Sequence, residues 1–213
     1  MTDEDIIEQE DIIEQVEGQL KYSHDVYMST VKFVKSWVSV PTFIPKNFIL
    51  FAAVGFTDWK NPNAGLEAAL QAANLDHINL IKLSSALPLY PDIHLLDEVK
   101  ITINPAVPVP CIFAHEFISP KPSRRYFVGL EFFRTKDCVI VIETTEKCCE
   151  RKLTGMKHIG HALIELNTSP TGKPSDVYFH FVLDRLKHEG VPRVRYMGEP
   201  IYASAVVGIL VLP

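Results

Sequence analysis

Two adjacent serines, Ser84 and Ser85, stand at the end of the apolar run Ile78 to Leu83 and just ahead of Pro88. A strand that delivers a hydroxyl to a turn is one way a chain presents a nucleophile. The plainer reading of a Ser-Ser pair is a turn or cap whose hydroxyls bond nearby backbone. Asn79 precedes the pair on the same run and offers an amide N–H to a developing oxyanion. Otherwise it merely ends a turn at Asp76-His77. Glu143 follows the apolar strand Val139-Ile140-Val141-Ile142. A carboxylic acid there donates a proton if apolar neighbours keep it protonated, and is a solvated strand-end charge if they do not. Glu67 lies off the centre of the stripe Leu66, Ala69, Leu70 and Ala73 on a predicted helix, an ordinary place for a solvent-facing acid. A carboxylate in that position is also a counter-ion for a guanidinium, since it accepts two parallel hydrogen bonds.

Other chemistries find weaker support. Cys148-Cys149 followed by His158 and His161 suggests a metal site, but the spacing matches no zinc pattern. The expectation is ordinary thiols and no metal. The four cysteines, with Cys111 and Cys138, are too sparse for a disulfide scaffold in a chain of 213 residues. No glycine-rich loop opens a helix to cradle phosphate, and the serines lack the G-x-S-x-G setting of hydrolases.

Composition narrows the class further. Hydrophobic residues at 47% and charged residues at 22% are those of a globular domain with one sizeable core. A net charge of -5 and the lack of a basic stripe argue against a nucleic-acid partner. No apolar run approaches the roughly 20 residues of a membrane span, and the N-terminus is acidic where a secretory leader is basic, so the expected location is cytoplasmic with no membrane partner.

The elements that must position these residues are legible as patterns. Residues 1–44 read as an acidic extension and linker, and residues 45–213 as the domain. The near-repeat Asp5-Ile6-Ile7-Glu8-Gln9 and Asp11-Ile12-Ile13-Glu14-Gln15 fits either a short amphipathic helix or an acidic tail without fixed structure. Val31 to Val40 reads as a strand or a half-buried extended segment. Phe48 to Val54 reads as a buried strand ended by Gly55, and Asn63 as the cap of a helix from Ala64. Strands are predicted over Ile93 to Ile103, Pro110 to Ile118, Tyr126 to Phe133 and Cys138 to Thr144. Helices are predicted over Cys149 to Leu166, from the stripe Leu153, Met156, Ile159 and Leu163, and over Asp176 to His188, stopped by Gly190. Arg193 to Met197 and Ile201 to Val211 close the domain as strands, the last apolar enough to be central or fully covered. Many strands and a few helices without strict alternation indicate an α+β layered domain.

Taken in order, the Pro-led strand Ile44 to Gly55, the helix Leu66-Glu67-Ala68-Ala69-Leu70, and Asn79-Leu80 with Ser84-Ser85 and Pro88 resemble the pyruvoyl-dependent arginine decarboxylases. The resemblance extends, less clearly, to the C-terminus. It implies a four-layer αββα sandwich of the pyruvoyl-dependent histidine/arginine decarboxylase type. It also implies a homotrimer of cleaved protomers with sites between subunits, and a small-molecule amino acid as substrate. The implied activity converts arginine to agmatine and carbon dioxide, a step towards polyamines. Decarboxylation leaves a carbanion that needs an electron sink, and a protein-bound pyruvoyl carbonyl is one.

In the family the second serine attacks the peptide carbonyl before it. An acyl shift gives an ester, and elimination cuts the chain. Transposed here, Ser85 becomes the pyruvoyl cofactor and Ser84 the new C-terminus, with Asn79 in the active site, Glu143 as proton donor and Glu67 against the substrate's cationic end. Val139 stands where relatives carry glycine, and Phe56 and Trp59 occupy a loop that is small-residue-rich in relatives. Both changes are expected to crowd the pocket. The alternatives are the same chemistry on another amino acid, and an uncleaved, non-catalytic oligomeric relative.

Overall fold

Strand β1, Asn47–Thr57, is almost continuously apolar because it is covered on both faces, and the computed structural model shows what covers it. The structure describes residues 45–83, 86–145, 156–184, 186–190, 192 and 202–213. The acidic extension, the predicted strands over 31–40 and 193–197, the serine pair and Cys148-Cys149 lie outside the described residues.

On one face of β1 lies helix α1, Pro62–Ala72, packed on Ile49, Phe51 and Ala53 through Ala69 and Ala72. On the other face, Phe48, Leu50 and Val54 meet a second sheet. The helix begins two residues earlier than the sequence suggests. Asn61, not Asn63, is its cap, with the Asn61 side chain accepting from the Asn63 N–H at 3.0 Å and Pro62 leading the first turn. At its far end Asn74 turns left-handed (φ 58°), and the Leu75 N–H returns to the Leu70 carbonyl at 2.8 Å, a Schellman stop with asparagine in glycine's place.

Gly55 does not end β1. The strand runs on to Thr57, and the glycine is there because α1 crosses it: a Cβ at Gly55 would stand 2.2 Å from the Ala69 nitrogen.

The remaining strands are β2 (Leu80–Lys82), β3 (Ala86–Leu87), β4 (Ile93–Leu95), β5 (Val109–Ile118), β6 (Arg125–Arg134), β7 (Val139–Thr145), β8 (Lys157–Thr168), β9 (Pro174–Leu183), β10 (Leu186–Gly190) and β11 (Tyr202–Leu212). They form a five-stranded sheet, β2-β5-β11-β1-β4, and a six-stranded sheet, β10-β9-β8-β6-β7-β3. As predicted, β11 is central, flanked antiparallel by β1 and β5.

The two sheets face one another across a core that includes Phe132, Leu130, Ile112, Ile164, Leu166 and Ile209, all buried. Among the described residues the layers are therefore one helix and two sheets. The predicted strand from Ile93 shortens to β4 followed by a 3₁₀ turn at Leu96–Glu98.

Both C-terminal helices of the sequence reading are corrected to strands where they are described. In β8, Ala162, Ile164, Leu166 and Thr168 are buried alternately, and in β9 Val177, Phe179, Phe181 and Leu183 are. This is period-two patterning in β-branched and aromatic residues, and it prevails over the looser helical stripe. Gly190 ends β10 opposite Phe179 and stops no helix.

Candidate active site

The chain passes from one sheet to the other around the serine pair. Before it, β2 is the edge strand of the five-stranded sheet, parallel to β5, with the Leu83 N–H donating to the Cys111 carbonyl at 2.8 Å. After it, β3 is the edge strand of the six-stranded sheet, where Ala86 pairs with Ile140 and Leu87 with Val139 of β7. Because β3 and β7 are antiparallel, β7 runs from Ile140 to Glu143 back along the direction from which the chain enters β3.

At that end of β7 the Glu143 carboxylate meets the Lys82 ammonium, with its two oxygens 2.7 and 2.8 Å from Nζ. Lys82 Nζ also lies 5.0 Å from the centre of the Phe113 ring, which helps to hold the cation. Lys82, before the serine pair, and Ala86, after it, both reach β7, at Glu143 and Ile140.

Glu143 is not buried among apolar neighbours as a proton donor was expected to be. Its side chain is 34% exposed and that of Lys82 49%. Asn79 is exposed, with its backbone carbonyl accepting from the Val109 N–H at 2.8 Å, so it leads into β2 rather than ending a turn in isolation. Glu67 is exposed on α1, and among the described residues it makes no ion pair or hydrogen bond with Lys82, Glu143 or Asn79. Ser84 and Ser85 themselves lie outside the described residues.

Val139 is fully buried in the core between the sheets, and Trp59 is 72% exposed. Phe56 packs against the inter-sheet core.

Lys82 was not singled out from the sequence. Its signal was present: one cation inside the apolar run that leads to the serines. The pairing of His115 with Ser204 had no such signal, because it depends on the β5–β11 register. His115 Nε2 and Ser204 Oγ are 2.6 Å apart on the face that α1 covers. Burial, and secondarily the Lys82 ammonium, hold this imidazole below the ordinary histidine range. Ser204 is fully buried, with its Cβ against Gly65, so no substrate reaches it and the pair is structural. Burial pushes the nearby Cys111 thiol up to about 12, which keeps it protonated and unreactive.

A groove of about 550 Å³ opens beside the end of α1, lined by Leu75, His77, Ile78, Leu96, Val99 and Ile101 among others. It includes none of Glu67, Asn79, Lys82 or Glu143. No helix among the described residues is long and apolar enough to cross a membrane. No protein-family model matches the chain, and no curated protein matches it.

Proposed function

We propose that the chain is a self-cleaving, pyruvoyl-dependent amino-acid decarboxylase. Its preferred substrate is arginine, and it acts as a homotrimer built on the four-layer αββα plan. One observation carries the reading: Glu143, chosen from the sequence as proton donor, is paired with Lys82, two residues before Ser84, on the strand that also receives the chain at Ala86. Two residues 61 apart in sequence thus meet beside the strands that lead to and from the serine pair.

In this reading the Ser85 hydroxyl attacks the Ser84 carbonyl carbon. The C–N bond breaks as an ester forms, and β-elimination then releases the Ser84 carboxylate. The remaining dehydroalanine tautomerises and loses ammonia to water, leaving a pyruvoyl ketone at position 85. When present, that ketone supplies the electron sink for decarboxylation. Asn79 supports the oxyanion of the first step. Lys82 stations the Glu143 carboxylate and is the proton source beside it, so that Glu143 relays a proton from the ammonium to the substrate carbon. Glu67 serves as counter-ion to the guanidinium, from its own or a neighbouring protomer. The exposed edge strand β2, with Ile81 turned to solvent, is the edge that subunit contact would cover.

Intact-mass spectrometry of aged protein tests cleavage. Two chains are expected, Met1 to Ser84 and a pyruvoyl-blocked chain from position 85, while Ser85→Ala stays whole. A single uncut 24.0 kDa chain in the parent protein overturns the proposal. Carbon dioxide release over an amino-acid panel then identifies the substrate.

A further inference from the structure

The outer face of the six-stranded sheet gathers side chains of a different kind, and none of them is used in the decarboxylase reading. Glu131 on β6 stands directly across from His161 on β8. His158 lies three positions before His161, which in a regular strand would put the two on opposite faces. A β-bulge prevents this. Phe132 pairs with Gly160 and Phe133 with His158, so Ile159 is the extra residue, and both imidazoles emerge on the face that carries Glu131.

The result is close. One donor atom from each of Glu131, His158 and His161 lies within 4.8 Å of the other two. The Glu131 carboxylate and His158 Nε2 are 2.5 Å apart, and the two rings are stacked with centroids 6.3 Å apart.

We infer that Glu131, His158 and His161 form a binding site for a divalent transition-metal ion of the zinc class. Two imidazoles and one carboxylate are the donors such ions select over magnesium or calcium. Three protein ligands leave a tetrahedral position for water. Tetrahedral ligands about 2.0–2.1 Å from zinc stand roughly 3.3 Å apart, so Glu131 and His158 must separate slightly and the third donor close in. Side chains that are 26% exposed at Glu131 and 47% at His158 have room to do so. The Phe133 ring, with its centroid 5.1 Å from that of His158 and its plane inclined by 61°, limits where that imidazole swings. His180 on β9 belongs to the same face, opposite Leu163 and so diagonal to His161.

The test uses the full chain without a histidine tag, stripped with chelator and titrated with Zn²⁺ by calorimetry and with Co²⁺ by visible absorption. Expected are one ion per chain at micromolar affinity, d–d bands of a four- or five-coordinate nitrogen/oxygen site, and a higher melting temperature in saturating Zn²⁺. His158→Ala, His161→Ala and Glu131→Gln should each weaken binding about tenfold or more. His94→Ala, at an exposed histidine paired with Asp92, should not. If His161→Ala fails to fold, the two more exposed positions decide. Millimolar or non-saturating binding, or affinity indifferent to His158→Ala and Glu131→Gln, overturns the site. Cleavage at 84–85 is measured separately, so the two proposals fail independently.

Discussion

The two polar pairs, Lys82 with Glu143 and His115 with Ser204, have different energetic weight. Lys82 and Glu143 are both in contact with water, so their attraction is screened and contributes about 0–1 kcal/mol to stability. Lys82→Met should therefore leave urea unfolding nearly unchanged while lowering decarboxylation; a large loss of stability would assign the pair a structural role instead. His115 behaves differently because it is buried against Ser204. Its folded-state pKa is lowered, so the unfolded chain takes up the proton more readily. Stability is then full above the unfolded value of 6.5 and declines as pH falls from there through the lowered folded value. Melting temperatures between pH 7.5 and pH 5 should fall less steeply in His115→Gln than in the parent, once the loss of the Ser204 contact is offset by comparison at the higher pH.

Among the elements, α1 is held by backbone proximity as much as by side chains. A methyl group at Gly55 meets the Ala68–Ala69 peptide at 2.2 Å, and a peptide cannot swing aside as a side-chain tip can. Gly55→Ala should cost about 3 kcal/mol or more in urea unfolding, at the upper end of overpacking effects. The helix stop makes the opposite prediction. Asn74 is left-handed at φ 58°, where glycine is at ease and a β-branched residue is not. Asn74→Gly should be neutral or slightly stabilising, whereas Asn74→Val should lose about 1–2 kcal/mol. The bulge at Ile159 is the corresponding device on β8, converting a spacing of three into a shared face.

At the scale of the whole molecule, the two sheets share one interior. Phe132 from β6 is fully buried against residues of both sheets, so Phe132→Ala should cost about 3–5 kcal/mol and lower the urea midpoint, with the m-value preserved if unfolding stays cooperative. The sheets are joined in sequence by several connections, and the one at 84–85 carries the proposed chemistry. Because Lys82 and Ala86 are anchored on different sheets, cleavage there would leave both ends held by pairing already in place. The cleaved chains are therefore expected to co-elute under native conditions and to separate only on denaturation.

The sequence by itself determined where the most apolar strands run and that β11 is central, while the turn expected at the serine pair lies outside the described residues. Continuous hydrophobicity and turn residues are local signals. It misread β8 and β9 because Leu153, Met156, Ile159 and Leu163 imitate a helical stripe, while the true alternation of Ala162, Ile164 and Leu166 is decided by the partner strands that bury it. Register was likewise invisible: that Lys82 reaches Glu143, that His115 reaches Ser204, and that His158 and His161 share a face with Glu131 follow from which strands pair and where one bulges. Strand pairing is a long-range choice made by the whole core, so only the tertiary structure decides which distant side chains become neighbours.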